Sequence, residues 1–143
     1  MKILGIDPGK TSGFCMIEIK DKKITPTGQV GVDKNESVDS IRELIKEADV
    51  VVVEDFLVRP KKARRGAFDY SNMVAPRVIG KIEEICAVQG KTLVKQQSSL
   101  KPPAYGFAGM KYVKGKQGQH WQDAFAHACY YAVNKLDASP VSS

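Results

Sequence analysis

The order of the elements predicted along the chain indicates an α/β layer fold. Three strand-like segments come first, and two more strands then alternate with three helical segments over the 143 residues. Strands joined by short turns pair antiparallel, whereas strands separated by a helix pair in parallel. The sequence therefore predicts a five-stranded mixed sheet, three strands antiparallel and then two parallel, flanked by helices. Residues 1–138 are expected to form one domain, with 139–143 as a flexible tail.

The first three strands are predicted to form a meander. Residues 2–7 and 12–20 are joined by a tight turn at Pro8-Gly9, and a third strand spans residues 24–32. Turn residues bound each segment, so the connections between these strands are short.

Helices and strands alternate in the remainder of the chain. Ser37 caps a helix with one apolar face, and the strand that follows at 49–54 contains four consecutive valines. A strand that is apolar on both faces is typical of the centre of a parallel sheet. The other elements are predicted as a helix at 72–89, a strand at 91–95, a loop at 96–117 and a helix at 118–136.

Basic residues are concentrated in the middle of the chain. The formal net charge is +6, and residues 56–120 hold 13 basic and 3 acidic residues. Such a segment favours a polyanionic partner, with a solvated lysine-rich surface as the alternative. No apolar run approaches the ~20 residues of a membrane span, and the three separated cysteines are typical of reduced thiols. We therefore expect a cytoplasmic protein with no membrane partner.

The segment GIDPGKTSG, residues 5–13, raises the question of a phosphate-binding loop. A Walker A loop has four residues between its glycines and a helix after its Lys-Thr pair. Here three residues separate Gly5 from Gly9, residues 12–20 alternate like a strand, and Asp7 would repel a phosphate. A hairpin loop of the actin and sugar-kinase type would need a second such loop and a longer chain. The pattern thus favours Asp7 as the functional residue of this segment.

Four polar residues are predicted to converge at one edge of the sheet. Asp7 and Glu54 each end an apolar strand, and His120 and Asp123 lie three residues apart at the start of the last helix. Three carboxylates this close would repel one another unless a cation joined them. Oxygen ligands with one imidazole suit Mg²⁺ or Mn²⁺, and two such ions ~4 Å apart promote phosphodiester cleavage.

Each of these residues also has a simpler interpretation. Asp7 could cap the turn at Gly9, and Glu54 could merely end its strand. His120 and Asp123 could be polar residues at a helix N-terminus, where an acid complements the helix dipole. One shared metal site accounts for all four positions together.

Three segments that carry these residues resemble the signature segments of the RuvC family of Holliday junction resolvases. They are GIDPG at 5–9, VVVEDF at 51–56 and HWQDAFAHA at 120–128. The resemblance implies a ribonuclease H-like fold over nearly the whole chain. It also implies that Asp7, Glu54 and Asp123 hold two divalent ions, with His120 as a further ligand or as the base that helps deprotonate water.

The same resemblance implies an endonuclease that acts as a homodimer on branched DNA. Each subunit would cut one strand of a four-way junction, using Mg²⁺ or Mn²⁺. The short chain fits a compact branch, such as those carried by phages, acting in the bacterial cytoplasm. Dimer contacts are expected from residues off the inner stripe of the 72–89 helix, namely Met73, Ile79 and Val88.

Two basic segments flank the predicted site and are interpreted as DNA-phosphate contacts. They comprise Arg59, Lys61, Lys62, Arg64 and Arg65 in the first segment, and Lys101, Lys111, Lys114 and Lys116 in the second. The resemblance also implies an aromatic residue shortly after Glu54 that wedges the junction. Phe56 is the nearest candidate, with Phe68 as a substitute and a core position for Phe56 as the alternative. The aromatic residues of the second segment could stack on unpaired bases or pack the loop down, and they are Tyr105, Phe107 and Tyr112.

Two other functions compete with junction resolution. One is a ribonuclease H-like nuclease that acts on RNA, of the ribosomal-RNA processing type, whose relatives usually have a different glutamate segment. The other is a DNA-junction binder without cleavage, in which a carboxylate would be missing. All the carboxylates are present here, which favours the nuclease.

Overall fold

Five strands form one mixed sheet in the order β3-β2-β1-β4-β5. The computed structural model describes residues 1–32, 38–55, 74–114 and 119–142. The strands are β1 (Lys2–Asp7), β2 (Ser12–Lys20), β3 (Lys23–Val32), β4 (Val50–Asp55) and β5 (Thr92–Gln97). β2 pairs antiparallel with β1 and β3, whereas β4 pairs in parallel with β1 and β5. The predicted α/β fold and its mixed sheet are confirmed.

Helices lie on both faces of this sheet. Within the described ranges they are α1 (Val38–Glu47), α2 (Val74–Gln89), α3 (Lys101–Phe107) and α4 (His120–Leu136), with a 3₁₀ turn at Ser98–Leu100. None of the helices in these ranges is both long and apolar enough to span a bilayer.

The helix α3 corrects the predicted loop at 96–117. The pair Pro102-Pro103 lies in its first turn, where proline is tolerated because those N–H groups have no partner within a helix. The short helix packs its Ala104 and Tyr105 into the core beneath α4. Residues 98–107 are therefore part of the folded scaffold next to the sheet.

Strand side chains alternate between two apolar cores, one on each face of the sheet. Leu4 and Val53 belong to the core that includes residues of α1 and α2. Ile3 and Val52 belong to the core that includes α4. Because successive strand side chains point to opposite faces, Asp7 and Glu54 share the face of Ile3 and Val52. Both carboxylates therefore point toward α4.

The N-terminal half of α4 lies directly against β1 and β2 at two glycines. A Cβ on Gly5 would lie 2.0 Å from the carbonyl oxygen of Ala124, and one on Gly13 would lie 2.2 Å from the carbonyl carbon of His120. Only glycine permits this approach. The close packing fixes the first turn of α4 beside the ends of the two strands.

Two further features differ from the sequence expectations. Ile79, expected at a dimer surface, is buried against the α1 side of the sheet, so that prediction is wrong, while Val88 is 81% exposed. Met73 lies outside the described residues. In the predicted flexible tail, Ser139 N donates to Lys22 O and Val141 N donates to Phe107 O, both at 2.8 Å. These residues of the tail are thus bonded to the rest of the domain.

Candidate metal centre

Three carboxylates from three different elements meet at the carboxyl ends of β1 and β4. Asp7 ends β1, Glu54 lies near the end of β4, and Asp123 lies in the first turn of α4. One oxygen of each carboxylate lies within 4.8 Å of the others. The three residues are only 6–7% exposed. A cluster of buried oxygen donors is the kind of site that Mg²⁺ and Mn²⁺ prefer.

The pKa values of the two strand carboxylates shift in opposite directions. Burial, followed by the close contact with Glu54, raises the pKa of Asp7 far above its usual range. Burial also acts to raise the pKa of Glu54, but contacts with His127, Asp7 and Lys101 outweigh it and the pKa of Glu54 is lowered. These directions favour a metal-free pair in which Asp7 is protonated and Glu54 is ionised.

The ammonium group of Lys101 lies between two of the carboxylates. Its Nζ is 3.0 Å from Glu54 Oε1 and 3.3 Å from Asp123 Oδ2. Burial opposes the charged form, but attraction to these two carboxylates prevails and raises the pKa of Lys101. The sequence predicted a DNA-phosphate contact for Lys101, and the structure instead pairs it with the carboxylates, because α3 turns its side chain into the site. The cluster therefore already attracts a cation, which supports its fit to a metal ion.

Tyr105, one turn after Lys101 on α3, fixes the third carboxylate. Its hydroxyl donates a hydrogen bond to Asp123 Oδ1 at 2.5 Å. Burial, then the hydrogen bond and the charge of Asp123, raises the pKa of Tyr105, so the phenol stays protonated and remains a donor. The ring is buried rather than available for stacking on a base.

His120 contacts the site from the more open side. Its Nδ1 lies 3.0 Å from Asp7 Oδ2, and its side chain is 40% exposed. The group of ligand atoms within 4.8 Å contains the three carboxylates but not this imidazole. His120 is thus held by Asp7 at the rim of the cluster.

Behind Glu54 lie two buried polar residues. Gln96 Nε2 donates to the carbonyl oxygen of His127 at 3.1 Å, and Gln96 Oε1 lies 3.4 Å from His127 Nδ1. The other ring nitrogen, Nε2, lies 3.8 Å from Glu54 Oε1. Both residues are buried, His127 completely.

Some of the remaining residues predicted to contact DNA lie within the described ranges, and others lie outside them. Lys111 and Lys114 are exposed in the segment between α3 and α4. Tyr112 packs edge-on against Tyr105 at 5.4 Å, and Phe107 lies 5.9 Å from Tyr130, which favours packing over stacking for these aromatics. Outside the described residues lie Phe56, Arg59, Lys61, Lys62, Arg64, Arg65, Phe68 and Lys116.

Part of the surroundings of the carboxylates was readable from the sequence. Gln96 is a polar residue near the carboxyl end of a parallel strand, as Glu54 is, and His127 lies one helical turn after Asp123. Lys101 and Tyr105 are likewise one turn apart, but only on a helix that the sequence did not predict. The Pro102-Pro103 pair, typical of a first helical turn, was the available indication.

The fold matches solved structures of Holliday junction resolvases. Thermus thermophilus RuvC, solved in complex with Holliday junction substrate, aligns with a TM-score of 0.65 at 17% identity over 99% of this chain and all of its own. Fowlpox virus resolvase, solved with substrate Holliday junction DNA, aligns with a TM-score of 0.62 at 13% identity over 95% of this chain and 99% of its own. The yeast mitochondrial Holliday junction resolvase aligns with a TM-score of 0.56 at 10% identity, over 91% of this chain and 77% of its own.

The sequence itself matches no family model and no curated protein. The chain nevertheless has the ribonuclease H-like fold of RuvC and other Holliday junction resolvases. The fold that the sequence resemblance implied is therefore confirmed.

Proposed function

We propose that this protein is a divalent-metal-dependent endonuclease that resolves four-way and other branched DNA junctions. The observation that carries the proposal is the meeting of Asp7, Glu54 and Asp123 from three elements, on a fold shared with junction resolvases. A structural role alone would not require three buried carboxylates whose charges are compensated by a lysine.

Asp7, Glu54 and Asp123 are the residues that would hold Mg²⁺ or Mn²⁺, two ions per site in our proposal. Such ions activate water and stabilise the leaving oxygen in phosphodiester hydrolysis. The chain itself supplies orientation. Tyr105 fixes Asp123 through a hydrogen bond, and the close contact of α4 with Gly5 and Gly13 fixes the separation of the helix from the strands.

His120 is proposed as the general base. When Asp7 is ionised, as it would be as a metal ligand, Nδ1 donates to Asp7 in the way that a catalytic imidazole donates to its orienting carboxylate. Nε2 is then the nitrogen that accepts a proton from water. Its position at the rim, outside the carboxylate cluster, favours this role over direct metal binding.

Branched DNA is the proposed substrate, and the basic middle segment is its proposed contact surface. The exposed Lys111 and Lys114 lie between α3 and α4, so they are connected to the elements that carry Lys101 and Asp123. The basic residues at 59–65 would add phosphate contacts just after β4, with Phe56 as the candidate wedge. These contacts would position the junction without reading its sequence.

A homodimer is proposed because a junction requires two cuts in strands of like polarity. The exposed Val88 of α2 is an apolar side chain available for such an interface. Sedimentation velocity of the protein, alone and with a four-way junction, would give two subunits per junction. One subunit per junction at saturation would contradict this assembly.

Cleavage of defined substrates tests the proposed activity. Labelled four-way junctions, linear duplexes and RNA–DNA hybrids are incubated with the protein and Mg²⁺, with chelator as the control. We expect cuts in the junction, few in the duplex and none with chelator. Cleavage of hybrids without cleavage of junctions would favour the RNA nuclease, and binding of junctions without any cut would favour the non-catalytic binder.

The basic run after β4 is tested by salt dependence. Simultaneous replacement of Lys61, Lys62, Arg64 and Arg65 by Ala should weaken binding to all DNA. The slope of log K against log salt should become shallower by about one for each phosphate that these side chains neutralise. An unchanged slope would assign this run to an ordinary solvated surface.

A further inference from the structure

We propose that residues 138–141, which follow α4, form a strap that positions α3 against the carboxylate cluster. The strap contacts the end of α3 through Val141 and Gly109, so these two become positioning residues of the metal centre. The effect on ion binding rests on the proposed function. The contacts that hold α3 in place can be tested without any ion.

The helix α3 is too short to be stable by itself. It has seven residues, Lys101–Phe107, and isolated helices shorter than about 12–15 residues are marginal in water. Most of the stability of a helix in a protein comes from packing, and α3 buries Ala104 and Tyr105 in the core that includes α4. The position of its side chains therefore depends on what holds this helix from outside.

The carboxyl end of α3 closes in a Schellman-type turn. Met110 N donates to Tyr105 O at 2.9 Å, and Gly109 N donates to Gly106 O at 3.2 Å. Gly109 has a φ of +70°, and a left-handed residue with these two hydrogen bonds is typical of that motif. The turn takes up the carbonyl groups of Tyr105 and Gly106, and the carbonyl group of Phe107 accepts from outside the helix.

Val141 provides the donor for this carbonyl group. Its N–H donates to Phe107 O at 2.8 Å, and its side chain packs against the core that contains Tyr105. On its other side, the strap passes close to Gly109, where a Cβ would lie 2.9 Å from Val141 O. The backbone of Val141 thus contacts both the last residue of α3 and the turn that closes it.

The other end of the strap is anchored to α4 and to the turn between β2 and β3. Ala138 is buried, and its N–H donates to Ala132 O at 3.1 Å. Ser139 N donates to Lys22 O at 2.8 Å, in the two-residue turn where Asp21 and Lys22 both have positive φ. Because the strap is fixed at these points, it can restrain the end of α3.

The end of α3 is close to the residues that contact the carboxylates. Tyr105 lies two residues before Phe107, and its hydroxyl donates to Asp123 Oδ1 at 2.5 Å. A hydrogen bond weakens steeply when its geometry is disturbed, so movement of the helix end would be felt directly at Asp123. Partners that orient a ligating side chain typically change metal affinity by roughly 10–100-fold. The strap acts through such a partner, so its effect should be smaller.

Two glycines provide a matched pair of variants. Gly109 and Gly90 have similar left-handed φ values, +70° and +68°, so alanine is strained to a similar degree at each. Only at Gly109 would the new Cβ meet the strap, because a Cβ on Gly90 meets nothing within 4 Å. Gly90→Ala is therefore the control for Gly109→Ala.

Variants of Val141 test the hydrogen bond itself. Val141→Pro removes the N–H that donates to Phe107, whereas Val141→Ala retains it and shortens the side chain. Mn²⁺ affinity is measured by electron paramagnetic resonance and calorimetry without DNA. Hydrogen exchange is measured at the amide of Ala108, which donates to Ala104 O at 3.0 Å and reports on α3.

We expect Val141→Pro and Gly109→Ala to bind Mn²⁺ roughly 3–10-fold more weakly than the wild type. Exchange at Ala108 should be roughly 2–10-fold faster in both, as the loss of one hydrogen bond predicts. Val141→Ala should change both quantities less than Val141→Pro does. Gly90→Ala should retain wild-type Mn²⁺ affinity, even where its melting temperature falls.

Equal losses of Mn²⁺ affinity in Gly109→Ala and Gly90→Ala would overturn the proposal, since the effect would then follow global stability. Unchanged Mn²⁺ affinity in Val141→Pro would also overturn it, whether or not exchange at Ala108 is faster. If Gly109→Ala does not fold, the comparison of Val141→Pro with Val141→Ala decides.

The outcome also separates this inference from the proposed function. A wild-type protein that binds no Mn²⁺ would contradict the metal centre, and exchange at Ala108 in Val141→Pro would then decide whether the strap holds α3. A wild-type protein that binds Mn²⁺ and cleaves junctions, with no loss of affinity in Val141→Pro, would contradict only the strap.

Discussion

Replacing Lys101 by methionine should expose the repulsion among the three carboxylates. The substitution keeps an unbranched side chain of similar length and removes the ammonium that lies 3.0 Å from Glu54 and 3.3 Å from Asp123. Removing one partner of a buried ion pair costs about 3–5 kcal/mol. Because the Lys101 side chain is 25% exposed and solvent screens part of its charge, the expected loss of stability is smaller, about 2–3 kcal/mol.

This loss of unfolding free energy in Lys101→Met corresponds to a large decrease in melting temperature. For a domain of this length, 1 kcal/mol is about 3–5 °C, so Lys101→Met should melt roughly 6–15 °C lower than the wild type in chelator at pH 8. The difference should shrink at pH 6, because Glu54 can take up a proton once the lysine no longer holds its pKa low. Saturating Mg²⁺ should also reduce the difference, because the ion supplies the missing positive charge.

Lys95→Met is the matched control for this measurement. Lys95 pairs with Glu83 at 2.8 Å, but both side chains are more than 40% exposed, so its removal should change the melting temperature much less. Scanning calorimetry of both variants, with and without Mg²⁺, gives the comparison. If Lys101→Met melts no lower than Lys95→Met in chelator, Lys101 does not neutralise the carboxylates and the reasoning is wrong.

Three more predictions concern the same cluster. Asp7→Asn should abolish cleavage and the Mg²⁺-induced rise in melting temperature, and the metal-free variant should melt at least about 3 °C higher, because the amide is neutral without the cost of protonating a buried carboxyl group. An undiminished Mg²⁺ shift in calorimetry would exclude Asp7 as a ligand. Tyr105→Phe should lose about 1.5–3 kcal/mol of stability and bind Mn²⁺ several-fold more weakly, because Asp123 loses its hydrogen bond from the hydroxyl. Unaltered urea unfolding would show that this hydrogen bond contributes nothing to stability. Mg²⁺ affinity should rise with pH, and binding should release about one proton near pH 7, because the raised pKa of Asp7 favours a protonated carboxyl in the metal-free protein. Calorimetry in two buffers of different ionisation enthalpy measures this release, and the absence of a released proton would show that Asp7 is already ionised.

The sheet and two of the carboxylates were predictable because strands are recognised from patterns among residues that are close together in the sequence. Alternation and the run of valines located β1 and β4, and the carboxyl ends of neighbouring strands meet by geometry, which brings Asp7 beside Glu54. Asp123 followed from the start of α4. These inferences need only the period of a strand or helix and the order of elements.

The contacts among α3, the tail and the sheet were not predictable in the same way. Lys101 and Tyr105 reach the carboxylates because a short helix packs beneath α4, and a Gly/Pro/Lys-rich segment gives little local indication of helix. Ile79 is buried because α2 contacts α1 as well as the sheet, which widens its apolar face beyond a single stripe. Such features depend on which elements meet in space.

The balance of charge explains why these tertiary contacts matter for the proposed activity. Three carboxylates buried at one sheet edge are unfavourable by themselves, and the chain compensates them in three different ways. The raised pKa of Asp7 favours its protonated form, Glu54 and Asp123 share Lys101, and Tyr105 donates to Asp123. A divalent ion would replace the proton and the lysine but would leave the tyrosine in place. We therefore infer that Tyr105 fixes the geometry of the site, whereas Lys101 and the Asp7 proton set how tightly, and at which pH, the site binds its ion.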